Sequence, residues 1–170
     1  LNTEENFFNY VYQNGGDILI NDKKESGYSL EKTKETLEWY LNLSTVEKVS
    51  PSQTQFAENG NSTLFTSGNV AMGLLGSEEA NMIQAEYKSA IPAYLDAQQA
   101  WVEATTQGNF ETQGLVDMLD YGYIKPYTKS TAKWEKVEME ILRKLWAEEL
   151  TVDEACDQLV TEINKILAED

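Results

Sequence analysis

Apolar and polar positions alternate along the chain with a period that changes from segment to segment. Over Thr3 to Tyr12 the period is helical, with Phe7, Phe8 and Val11 giving an apolar side. Thr3 is placed to cap this helix, and Glu4 and Glu5 suit the positive end of its dipole. Asn14-Gly15-Gly16 ends it, because glycine takes positive φ without cost. Asp17 to Ile20 then reads as a brief strand. Ser29 starts a second helix that places Leu30, Thr33, Leu37, Tyr40 and Leu41 on one face and Glu31, Lys34, Glu35 and Glu38 opposite. It must end before Pro51. Asn59-Gly60-Asn61 is a turn, and Ser62 to Ser67 forms one or two helical turns closed by Gly68.

Val70 to Leu75 is a continuous apolar run between Gly68 and Gly76. Its length fits a strand buried on both faces, and it is the predicted central strand. Ser77 can cap a following helix. Ile91-Pro92-Ala93 interrupts the pattern, and helical segments resume near Tyr94 to Thr105 and Phe110 to Leu119. An aromatic connection, Tyr121 to Tyr127, leads to the clearest part of the chain. There Trp134, Val137, Ile141 and Leu145 mark one face of a long helix. Thr151-Val152-Asp153-Glu154 reads as a capping box, in which Thr151 and Glu154 satisfy each other's free N–H groups. Ala155, Leu159, Ile163 and Leu167 follow on a core-facing stripe. The predicted architecture is a single helix-rich α/β domain with a small central sheet.

Composition narrows what such a domain does. Its 170 residues suffice for one domain with its own core. The chain opens on Leu1, which reads as a processed or trimmed product without an export leader. With 29 acidic and 13 basic residues the net charge is −16, which repels phosphate backbones and argues against nucleic acid as a partner. The lone cysteine, Cys156, has acidic neighbours and reads as a small buried apolar residue rather than a reactive thiol. With no histidine, Ser-His and Cys-His catalysis and most zinc sites are excluded, so no cofactor and no metal site are expected.

Several segments, in order, resemble the second lobe of the family 1 extracellular solute-binding proteins, the maltose-binding-protein-like receptors of ABC importers. Phe7 to Asp17 is similar to the family's aromatic helix ending in a Gly-Gly turn. Leu37-Glu38-Trp39-Tyr40-Leu41-Asn42-Leu43, then Ser50-Pro51, continue the match. Leu64-Phe65-Thr66-Ser67-Gly68-Asn69-Val70-Ala71-Met72 followed by Gly76-Ser77 fits Phe-x-x-Gly-x-x-Ala-Met, a strand and a glycine turn. Ala90-Ile91-Pro92-Ala93 and the terminal Thr151 to Leu167 helix complete the series.

The resemblance implies one helix-rich lobe of a type II periplasmic-binding-protein-like fold. Between Gly76-Ser77 and Ala90-Ile91-Pro92 the chain is shorter than the family's. This implies that the first lobe is absent, with a junction of discontinuous segments near 84–89 close to Leu1 at one edge. The resemblance further implies a solute held between lobes, a sugar or oligosaccharide, and a monomer outside the cytoplasmic membrane. The partners it implies are the absent first lobe and the ABC transporter's membrane subunits. The intact receptor would be anchored as a lipoprotein in a single-membrane bacterium. By position it nominates Asn6 and Phe7 at the first helix, Ser77 and Glu78 after the apolar run, and Tyr123 and Trp134 as ligand-binding residues. Trp134 stands either as a partly exposed stacking surface on the side of Glu78 or as core at a helix start. Tyr121, Tyr123 and Tyr127 either line a rim or cover the core, and Trp39 reads as structural. Two alternatives remain: a carboxylate-based glycosidase, which needs two carboxylates at a defined separation, and a helical acidic interaction domain.

Overall fold

The protein is described from a computed structural model, which covers residues 4–73, 95–106 and 112–169. It divides into two compact units, one formed by Leu1–Asn59 with Lys125–Asp170 and the other by Gly60–Ile124.

The first unit begins with α1 (Glu4–Gln13), which Gly15 ends at φ 81°. A two-stranded antiparallel ribbon follows, β1 (Leu19–Ile20) with β2 (Glu25–Ser26), in the register Leu19 to Ser26 and Ile20 to Glu25. Three consecutive residues of its turn, Asn21, Asp22 and Lys23, hold positive φ. Gly27 opens a short 3-10 turn (Gly27–Ser29), and a side chain there would collide with the Asp17 carbonyl. Its N–H donates to the Ile18 carbonyl at 2.8 Å, so the close approach and the hydrogen bond require the same bare backbone.

Helix α2 (Glu31–Thr45) buries Thr33, Thr36, Leu37 and Tyr40, close to the predicted face. Helix α3 (Gln53–Asn59) contributes no buried residue. The chain returns to this unit for α7 and α8, a helical hairpin of Thr131–Trp146 and Val152–Leu167. Trp134, Ile141, Leu142 and Leu145 of α7 meet Ala155, Cys156, Leu159, Ile163 and Leu167 of α8 in one core with Phe7, Phe8, Val11, Ile18, Tyr28 and Leu37. Each fully buried aliphatic side chain there contributes roughly 1.5–3 kcal/mol. Polar pins cross the same core. Tyr28 Oη donates to Glu138 Oε1 at 2.6 Å, and the Ser26 N–H donates to Asn164 Oδ1 at 2.6 Å, tying the ribbon to α8. The capping box at Thr151 and Glu154 is present as expected.

The second unit contains α4 (Asn61–Thr66), α5 (Leu95–Thr105) and α6 (Gln113–Asp117), the last continuing as a 3-10 turn to Tyr121. Leu64, Trp101 and Val102 are buried, and Thr112 Oγ1 donates to the Val102 carbonyl at 3.3 Å.

The predicted central strand requires correction. Val70 to Gly73 forms no strand, and Met72 is 88% exposed. The backbone is committed elsewhere: the N–H groups of Asn69 and Val70 both donate to the Leu64 carbonyl, closing the end of α4. Among the described residues the sheet is the β1–β2 ribbon alone. Leu74 and Leu75, the helix expected from Ser77 and the junction expected near 84–89 lie outside the described residues.

Candidate functional site

Of the predicted site residues in the first unit, Asn6 and Phe7 lie at the start of α1 and Trp134 in the first turn of α7. Asn6 lies in the first turn of α1. Phe7, next to it, is 2% exposed and packs edge-on against Phe8 at 4.9 Å and Trp146 at 6.1 Å between ring centroids. Its ring is enclosed in the core, which leaves Phe7 almost no exposed surface here. Trp134 requires a correction. It is fully buried, and its indole N–H donates to Thr128 Oγ1 at 3.3 Å. A wholly enclosed indole offers no face for stacking, and the expected partial exposure is overturned.

The residues just before Trp134 are polar. Thr128, Ser130 and Thr131 interlock ahead of α7: the Thr128 N–H donates to Thr131 Oγ1 at 2.7 Å, and the Ser130 N–H donates to Thr128 Oγ1 at 3.2 Å. Lys125 Nζ pairs with Glu135 of α7 at 2.8 Å and stands 5.6 Å from the ring centre of Phe8 in α1. Tyr127 is 66% exposed, with Lys23 Nζ 4.2 Å over its ring. In the second unit Tyr121 and Tyr123 are exposed. Ser77 and Glu78 lie outside the described residues.

A separate groove of about 470 Å³ opens between α1 and α2, lined by Tyr10, Gln13, Asn14, Glu35, Thr36 and Trp39. Trp39 is 47% exposed, although sequence reading made it structural. The helical period held a signal: Leu37, Tyr40 and Leu41 mark the apolar arc of α2, and Trp39 falls beside it. Asn14 crosses the groove end, its Nδ2 donating to the Lys32 carbonyl at 3.1 Å and to Thr36 Oγ1 at 3.2 Å. Hydrogen bonds from Lys32 and then Asn14 hold the Glu35 carboxyl below its ordinary range. Beneath the groove, burial pushes the Tyr40 phenol up to about 12, with Tyr10 adding to the effect.

A second depression, beside Glu31, Lys34 and Asp153, is crossed by the Lys34–Asp153 ion pair at 3.3 Å. Burial pushes the nearby Cys156 thiol up to about 12, as suits an unreactive core residue. Among the described residues no cluster of acidic, histidine or cysteine side chains could hold a metal ion.

No protein-family model matches the sequence, and no curated protein matches it. Two solved structures match the fold. One is an ABC substrate-binding protein from Listeria monocytogenes in complex with cycloalternan, with a TM-score of 0.78 and 20% identity over 98% of this chain and 57% of that one. The other is an ABC transporter solute-binding protein from Thermotoga lettingae bound with α-D-tagatose, with a TM-score of 0.70 and 16% identity over 95% of this chain and 55% of that one. The chain has a solute-binding-protein fold. It spans little more than half the length of these two proteins. The solute-binding-protein fold is thus carried here by a helix-rich chain whose described sheet is one short ribbon.

Proposed function

We propose that this chain is the second lobe of a family 1 extracellular solute-binding protein, supplying one half of a carbohydrate cleft for an ABC transporter. The observation that supports it is the likeness of nearly the whole chain to just over half of two receptors solved with bound saccharides. A lobe of this kind does no chemistry. It positions hydroxyl-binding side chains and a stacking surface, and affinity comes when a second lobe closes on the solute. Within the first unit Asn6 is the proposed solute contact, with Phe7 and Trp134 holding the starts of α1 and α7 in place from the core. Within the second unit the proposed contacts are Ser77, Glu78 and Tyr123. The partners are the complementary lobe and the transporter's membrane subunits. The setting is outside the cytoplasmic membrane, as a lipoprotein in a single-membrane bacterium. Among the described residues no helix is long and apolar enough to cross a membrane.

A thermal-shift screen of the two-lobe receptor against monosaccharides, linear and cyclic oligosaccharides, short peptides and polyamines tests the substrate class. A ligand that binds the native state at a hundred times its Kd stabilises by about 2.7 kcal/mol, which reads as a clear rise in Tm. The expected result is a rise with a saccharide. A rise with a peptide or polyamine and with no saccharide would replace carbohydrate by that class.

A further inference from the structure

We infer that the groove between α1 and α2 is a second carbohydrate-binding site, separate from the cleft, that takes a neutral pyranose on the exposed face of Trp39. A pyranose presents C–H groups on its faces and hydroxyls around its edge. Its complement is one fixed aromatic plane ringed by amides and a carboxylate. The groove supplies both parts. Trp39 is nearly half exposed, and it is held by the edge of Tyr10, with ring centroids 5.1 Å apart at 61°. Around it stand the Gln13 amide, Thr36, the Glu35 carboxylate and Asn14, whose Nδ2 is committed to the Lys32 carbonyl and Thr36, leaving its Oδ1 as an acceptor.

Charge and geometry select the ligand class. A quaternary ammonium would be favoured by an uncompensated carboxylate and by several ring faces around one point. Here Lys32 Nζ already pairs with Glu35 at 2.7 Å. Tyr10 meets Trp39 at a steep angle rather than offering a second parallel wall. An anion would meet the Glu35 carboxylate and no cationic side chain among the residues that line the groove. A neutral ligand rich in hydroxyls remains. The inference rests on the groove alone and stands whether or not the cleft reading does.

The test is a two-dimensional NMR titration of the full chain, following the Trp39 indole N–H, with maltotriose and cellotriose as neutral probes and choline as the cationic one. The expected result is a saturable shift with a trisaccharide at millimolar concentration and none with choline. Trp39→Ala, followed through neighbouring backbone amides, should weaken binding at least about tenfold, which corresponds to about 1.4 kcal/mol. Gln13→Ala, which leaves the aromatic packing in place, should weaken it severalfold with Tm unchanged. A saturable shift with choline alone, no saturable shift with either saccharide, or binding unchanged in both variants would overturn the inference. In the two-lobe receptor Trp39→Ala should leave the tight cleft affinity intact. Loss of that affinity would place Trp39 in the cleft and overturn the separate site, while absence of tight binding with the Trp39 shift retained would count against the cleft reading alone.

Discussion

Two tryptophans divide the roles that sequence reading assigned to them. Trp134, nominated for stacking, is sealed in the core, and Trp39, read as structural, is exposed on a groove. Periodicity identifies which residues share a face of a helix, but not which end of that face another element covers. Trp134 heads the apolar stripe of α7, where the loop before it folds back and Thr128 accepts the indole N–H. Trp134→Ala is therefore expected to cost about 3–5 kcal/mol of stability, as a cavity left in a packed core. Denaturant unfolding of the variant measures this. A loss under about 1 kcal/mol would mean that the indole is not packed as described. Cys156 was legible from its neighbours alone: acidic residues beside it in sequence and apolar spacing around it both predicted an inert, buried thiol.

At the scale of elements, caps and stops were the most legible features, because they depend on neighbours within a few residues. The end of α7 shows how far that legibility reaches. Glu148 holds φ 59°, its N–H donates to the Leu145 carbonyl, and the Glu149 N–H donates to the Lys144 carbonyl. This is a Schellman stop with glutamate where glycine is favoured. Without glycine the stop left no mark in the sequence. Glu148→Gly should stabilise the domain by about 0.5–1 kcal/mol, seen as a higher denaturation midpoint. A lower midpoint would mean that Glu148 makes a compensating interaction.

The capping box at the start of α8 has a pH signature. The Thr151 backbone N–H and then its hydroxyl hold the Glu154 carboxyl below its ordinary value of 4.5. A carboxyl lowered in the folded state contributes stability that is present above that ordinary value and lost as pH falls through the folded value. Glu154→Ala should therefore lower Tm near neutrality, and the deficit should close well below pH 4.5. A deficit independent of pH would assign the loss to helix propensity or packing instead. The apolar run at Val70 failed as a strand for the opposite reason. A strand needs a partner edge, and partners are set by distant residues, while the local demand of α4 for N–H donors was met by Asn69 and Val70.

For the whole molecule, the helix-rich α/β class was legible from periodicity, and the solute-binding-protein fold was legible from the order of short motifs. The burial of the nominated site residues was less so. Side-chain direction at the ends of elements, such as the starts of α1 and α7, follows from tertiary packing that periodicity does not report. Phe7 stands at the start of α1 and turns inward, because the core of this unit gathers on the α7–α8 hairpin. The central claim is that this chain is half of a two-lobe carbohydrate receptor. Calorimetric titration of the chain alone and of the receptor that pairs it with a complementary lobe, against the saccharide identified by screening, tests it most directly. The account predicts binding by the two-lobe receptor and, for the single lobe, affinity weaker by orders of magnitude, since half of the contacts and the closure are missing. Equal affinities for the two would contradict it.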